Sequence, residues 1–284
     1  MIRHFLRPKR LLFIRWTIGV GLLTLVIVVI GSANGHPLNA SATSDTIDPA
    51  KFRLTFDENF KTLDVSAWGP GTRWIAHTPW SGDFGDAVFD DPGPNGPFSI
   101  TSSGLEITAR QDAHGRWHSG LLSSMDPIGP TQTGFAQRYG YFEMSAKFPD
   151  GPGVWPAFWL ISKDRRYGTA EFDVVEFYGA FNNKFNAAIH LWGNNHNSYG
   201  SGQAVTVSPG ILSRQYNTYG VLISERVIKV YFNRQEIWST PTPPEFRTPM
   251  YILVDLALGG GWPINQLQSP QVMDIQYIRA YQTN

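Results

Sequence analysis

The sequence of 284 residues contains no cysteine. Disulfides and thiol chemistry are therefore excluded, and the fold must rest on its own apolar core. Charge is also sparse. Only 16% of residues are Asp, Glu, Lys or Arg, and the formal net charge is zero. No long helical period, internal repeat or second composition regime is present, so neither a helical bundle nor a repeat array is expected. The charge balance hides an uneven distribution. Arg3, Arg7, Lys9, Arg10 and Arg15 fall in residues 1–33, which hold no acid. Removing those five from 23 basic residues leaves 18 against 23 acids, a mature part about five charges negative. That sign argues against nucleic acid or an anionic membrane surface as a partner.

What the chain does hold is aromatic residues (14%), 28 Gly and 20 Pro. This is the composition of many short strands joined by turns. Leu105-Glu106-Ile107-Thr108-Ala109-Arg110 alternates apolar with polar. Tyr141, Glu143, Ser145 and Lys147 alternate with Phe142, Met144, Ala146 and Phe148. Val221–Ile223 and Val227–Phe232 flank a turn at Ser224-Glu225-Arg226. Period-2 alternation of this kind predicts strands with one face buried, in a sandwich or barrel that forms one domain over residues 51–284. Residues 68–103 are the least regular. There Trp68, Trp74, His77, Trp80, Asp83 and Asp86 lie among Gly and Pro. They read either as a loop pinned by buried aromatics or as one end of a binding cleft, and the two readings are compatible.

Residues 1–33 have the form of a targeting segment. A basic stretch ends at Arg15, an apolar run covers Trp16 to Ile30, and Gly31-Ser32-Ala33 or Ala40-Ser41-Ala42 offers a small-residue cleavage site. The run is long for a signal peptide and short for a spanning helix. A cleaved signal is the first reading and an uncleaved inner-membrane anchor the second. Either sends the rest of the chain out of the cytoplasm, to the periplasm or beyond, with membrane contact only through this segment. Residues 34–50, rich in Ser, Thr, Asn, Pro and Ala, read as a flexible spacer.

The chain is organised around Ala170-Glu171-Phe172-Asp173-Val174-Val175-Glu176-Phe177-Tyr178. Three carboxylates stand among β-formers. Glu171 and Asp173 share a face, whereas Glu176, five residues past Glu171, would point the other way in a regular strand. One extra residue, at Val174 or Val175, would return Glu176 to the same face as a β-bulge. Three clustered acids repel, and one pKa must rise. Such a site suits retaining glycoside hydrolysis, which needs a carboxylate and a carboxylic acid about 5–5.5 Å apart. An isolated Glu-x-Asp-x-x-Glu would more often be a solvated acidic face. The flanks, Trp155-Pro156-Ala157-Phe158-Trp159 upstream and His190-Leu191-Trp192 downstream, supply aromatic platforms suited to sugar rings.

These pieces together resemble glycoside hydrolase family 16. The ordered set is Tyr139-Gly140-Tyr141-Phe142-Glu143, Ala146-Lys147-Phe148-Pro149, Trp155 to Leu160, Glu171 to Glu176, Thr218-Tyr219-Gly220-Val221, Gly259-Gly260-Gly261-Trp262-Pro263 and Gln276 to Tyr281. It covers roughly residues 52–282. The resemblance implies a β-jelly-roll sandwich of two curved antiparallel sheets, and an endo-acting enzyme that cleaves a β-glucan or bacterial exopolysaccharide with retention. Carried over, it makes Glu171 the nucleophile, Glu176 the general acid/base and Asp173 the residue that tunes the nucleophile. His190 would bond to the acids, and Trp155, Trp192, Trp262 and Tyr178 would meet substrate, with Trp159 in the core.

The family's structural calcium often uses an Asp in the last strand. Gln276 stands at that position, which counts against calcium, and no cofactor is expected. His190 and His196 alone make no metal spacing. Two departures look like the exopolysaccharide glycanases. Thr78-Pro79-Trp80-Ser81-Gly82-Asp83-Phe84-Gly85-Asp86 replaces an Asn-Asn-Glu segment, and Tyr167-Gly168-Thr169 stands where a Trp often precedes the catalytic strand. The alternatives are a transglycosylase, or a carbohydrate-binding protein without catalysis, which would not need the acid triplet. A polysaccharide is the expected partner, and a monomer the expected state.

Overall fold

The computed structural model describes residues 45–78, 83–126, 132–166, 168–193 and 198–283. The expected targeting segment, most of the spacer, Trp80, Tyr167 and His196 lie outside the described residues. Two sheets dominate. One has ten strands. Its main path runs Gln235–Pro241, Val227–Phe232, Asn217–Ile223, Gly140–Lys147, Gln271–Gln282, Gly104–Gln111, Trp117–Ser119, Val88–Phe89. The other has eight, in the order Tyr199–Thr206, Lys184–Trp192, Thr169–Glu176, Val154–Ser162, Met250–Leu258, Leu121–Ser123, Trp74–Ile75, Val65–Ser66. The long strands pair antiparallel, as a jelly-roll sandwich requires. Two short pairs are parallel, Val65–Ser66 with Trp74–Ile75 and Val88–Phe89 with Trp117–Ser119, so the sheets are mixed at their margins. Helix is confined to single turns, of which Ile211–Arg214 is the α-helical one among the described residues.

Side-chain alternation divides each strand of the eight-stranded sheet between two apolar clusters. Phe158, Leu160, Phe172, Val175, Phe185, Ile189, Val254 and Leu256 turn inward and pack with Phe142, Met144, Val221 and Ile278 of the other sheet. Each such side chain contributes about 1.5–3 kcal/mol on full burial. The opposite face carries a smaller cluster that includes Ala157, Trp159, Ile161, Tyr251, Leu253 and Ala257, partly covered by Phe84 and Trp155. Trp159, expected in the core, is buried there, in the smaller of the two clusters.

Two features of the ten-stranded sheet depart from the sequence reading. Glu143, on an alternating strand that read as half polar, is fully buried. Its carboxylate accepts both Nε and Nη2 of Arg234 at 3.0 Å, Tyr141 Oη at 2.7 Å and Tyr277 Oη at 2.9 Å. A buried carboxylate persists only with this degree of pairing. The end of the expected spacer is also folded onto the domain. Ile47 is buried beside Tyr141, Tyr231 and Tyr281, its N–H donates to Arg234 O at 3.0 Å, and Asp48 caps the turn Pro49–Lys51.

Candidate active site

The strand Thr169–Glu176 carries the three acids, and its pairing shows why they meet. Against Val154–Ser162, Trp159 faces Asp173 and Phe158 faces Val175, so Val174 is supernumerary. Against Lys184–Trp192, Asp173 faces Ala188 and Glu176 faces Asn186, three residues on one strand against two on the other. The bulge resets the alternation. Glu171 and Glu176 are half-buried on the outer face with Asp173, while Phe172, Val175 and Phe177 fill the inner core.

Each carboxyl has its own surroundings. Glu171 Oε2 accepts Trp192 Nε1 at 3.0 Å. Glu176 Oε1 accepts two donors, Tyr178 Oη at 2.6 Å and Trp155 Nε1 at 2.9 Å. Asp173, buried between them, has His190 Nε2 at 3.4 Å. Glu171, Asp173 and His190 bring one donor atom each within 4.8 Å of one another. A fourth acid lies in the same row of the sheet. Asp255 faces Ala157, which faces Glu176. Asp255 is wholly buried and accepts Trp159 Nε1 at 2.8 Å and the Ala257 N–H at 3.0 Å.

Crowding in one apolar setting raises the proton affinity of Glu171, Asp173 and Asp255. Burial, and secondly the charge of Asp173, pushes Glu171 up to about 8, against the pull of His190 and the Trp192 donor. Burial, then Glu176 and Asp255, lifts Asp173 well above the usual carboxylate range. Burial pushes Asp255 up to about 7. The cluster therefore keeps a proton at neutral pH, and its titration steps belong to the group rather than to one member. A site that holds both a carboxylate and a carboxylic acid at pH 7 can attack a carbon and protonate a leaving oxygen in one step.

The aromatic residues do more than offer platforms. Trp155, Tyr178 and Trp192, read from sequence as substrate contacts, each donate to a catalytic-type carboxylate. His190 stacks on Trp192, with ring centres 5.4 Å apart at 19°, and Trp192 is 54% exposed. Trp155 stacks on Tyr178 at 5.9 Å, and Tyr178 meets Trp262 at 4.7 Å. The glycine run before Trp262 has a steric cause. Gly260 has φ +59°, and a Cβ there would stand 2.7 Å from Tyr178 Cε1 and 2.8 Å from Trp155 Cδ2.

The sequence reading missed Asp255, Phe84 and Asn186. Asp255 had a signal, as the one charged residue in Met250–Leu258. Phe84 packs edge-on to Trp155 at 5.7 Å and to Trp159 at 5.9 Å, so part of the irregular segment borders the site. Trp68, also from that segment, is 53% exposed and stacks on His77 at 4.7 Å. Gln276, where a calcium-ligating Asp would stand, accepts Ser145 Oγ at 2.8 Å.

Comparison with known proteins agrees with this geometry. Residues 97–279 match the family described as glycosyl hydrolases family 16. The chain is 32% identical over 277 residues to the endo-1,3-1,4-beta-glycanase EglC of Rhizobium meliloti (strain 1021), covering 89% of this chain and 57% of that protein. It is 34% identical over 275 residues to ExsH of the same organism, also an endo-1,3-1,4-beta-glycanase, covering 85% and 56%. The chain thus spans somewhat more than half the length of these relatives. Among solved structures, the fold is similar to that of an endo-1,3-beta-glucanase catalytic domain from Thermotoga petrophila RKU-1. That likeness has a TM-score of 0.65 and 20% identity, over 82% of this chain and 98% of that one. With the acid strand, its bulge and the sandwich all in place, the chain belongs to glycosyl hydrolases family 16.

Proposed function

We propose that the protein is an exported, retaining endo-β-glycanase acting on a β-glucan or a bacterial exopolysaccharide. The observation that carries the reading is the bulge at Val174, which puts Glu171, Asp173 and Glu176 on one face. In this mechanism Glu171 attacks the anomeric carbon as Glu176 gives its proton to the leaving oxygen. Glu176 then takes a proton from water, which attacks the same carbon and releases Glu171. Trp192 and His190 steady charge on the Glu171–Asp173 side, and Trp155 and Tyr178 fix the orientation of Glu176. The names of EglC and ExsH support a mixed-linkage β-glycan as substrate class. The basic, apolar and small-residue order of residues 1–33 supports export.

The test is hydrolysis of β-1,3-1,4-glucan, β-1,3-glucan and bacterial exopolysaccharide, with reducing ends counted and the first-formed anomer read by NMR. Mid-chain cleavage with retained configuration is expected. Inverted product, or no cleavage of any polymer, would overturn the reading.

A further inference from the structure

Beyond the acid cluster, the outer face has a cavity of about 230 Å³ lined by Tyr178, Phe181, Lys184, Phe185, Asn186 and Trp262. It adjoins the reacting centre, because Tyr178 donates to Glu176 and Asn186 faces Glu176 across the ladder. Lys184 and Asn186 alternate with Phe185, which is buried in the inner core, so both polar side chains turn to the outer face that His190 also occupies. Lys184 Nζ stands 3.9 Å over the centre of the Phe181 ring. Among the described residues it forms no ion pair. It is also the one formally charged side chain in the lining.

This placement is unusual for its surroundings. The neighbouring outer face carries Glu171, Asp173, Glu176 and Asp255, a concentration of negative charge that repels an anionic polymer. An ammonium with no ion-pair partner among the described residues, in one lining with half-buried Trp262 and an amide side chain, is complementary to a sugar that bears a carboxylate. The ring would lie against Trp262, and the carboxylate would take donors from Lys184 and Asn186. We propose that this cavity is a subsite for a carboxylate-bearing residue of the glycan, next to the bond that is cleaved. The proposal rests on the glycanase reading and adds to it the charge of the substrate.

The probe is a β-1,3-1,4-gluco-oligosaccharide with one glucose oxidised at C6 to glucuronate, compared with its unoxidised parent. Binding is measured by calorimetry on the full chain carrying Glu171→Gln, alone and combined with Lys184→Gln or Lys184→Arg. A charged hydrogen bond at a half-buried lysine corresponds to about 10-fold in affinity. The ratio of affinities, oxidised over parent, should therefore fall about 10-fold in Lys184→Gln and be kept in Lys184→Arg. It should also shrink with added salt. An equal ratio in all three proteins would overturn the proposal. Because binding needs no turnover, a Lys184-dependent ratio found together with no glucan cleavage by the unsubstituted chain would uphold the subsite and count against the glycanase reading alone.

Discussion

Replacing Asp255 by Asn changes how stability depends on pH, and the size follows from its burial. In the folded chain the carboxyl, held up to about 7, stays neutral where an ordinary Asp at 3.8 is ionised. Between those values folding takes up a proton. Stability therefore falls as pH rises from about 4 to about 7 and is level above that. From pH 5 to pH 9 the loss is about 3 kcal/mol, at ~1.4 kcal/mol per pH unit over roughly two units. Asn cannot ionise, so Asp255→Asn lacks this fall. The variant has its own fixed cost. Asp255 accepts N–H donors on both oxygens, and Asn offers one acceptor, which leaves Trp159 Nε1 or the Ala257 N–H unpaired at about 1–3 kcal/mol. The variant should thus be the less stable protein at pH 5 and gain about 3 kcal/mol relative to the parent by pH 9. Urea unfolding at the two pH values, with equal m-values, measures the change. A stability difference that does not move with pH would refute the claim that Asp255 is held protonated.

Other perturbations follow from the same contacts. Asp173→Asn removes a like charge from beside Glu171, so Glu171 ionises more readily and the acid limb of kcat/KM moves to lower pH. Trp192→Phe removes a donor to ionised Glu171 and moves that limb to higher pH, so shifts of the same sign in the two variants would contradict the assignment. Glu176→Ala removes the proposed acid/base while the bulge that places it stays. Loss of general acid/base help predicts a fall of about 10²–10⁴ in kcat, and near-native turnover would overturn the assignment of Glu176. Arg234→Ala leaves buried Glu143 without its ion pair. Thermal unfolding should report a loss of about 3 kcal/mol, the low end for breaking a buried pair, because Tyr141 and Tyr277 still donate.

The fold was largely legible because strand alternation is a local property. Gly104–Gln111 and the hairpin at Ser224–Arg226 are where the period-2 pattern and the turn residues put them. The acids were legible for a similar reason. Their spacing of two and then three is inconsistent with one face of a regular strand, and the bulge resolves the inconsistency. What could not be read depends on distant partners. Glu143 is polar in an alternating strand, and only the approach of Arg234, 91 positions later, makes it a buried residue. Ile47 sat in polar sequence, and its burial depends on three tyrosines far along the chain. That Trp155, Tyr178 and Trp192 serve carboxylates, rather than sugar alone, depends on ring orientation, which residue type does not specify.

The central claim is that Glu171 forms a covalent bond to the sugar while Glu176 does not. A 2-deoxy-2-fluoro β-gluco-oligosaccharide with a dinitrophenolate leaving group needs little acid assistance and slows the second step, so the glycosyl-enzyme accumulates. Proteolysis and mass spectrometry of the trapped protein should place the added fluoroglycosyl mass on Glu171, with Glu176 unlabelled. Label on Glu176, or release of dinitrophenolate at a steady rate with no labelled peptide, would contradict the account.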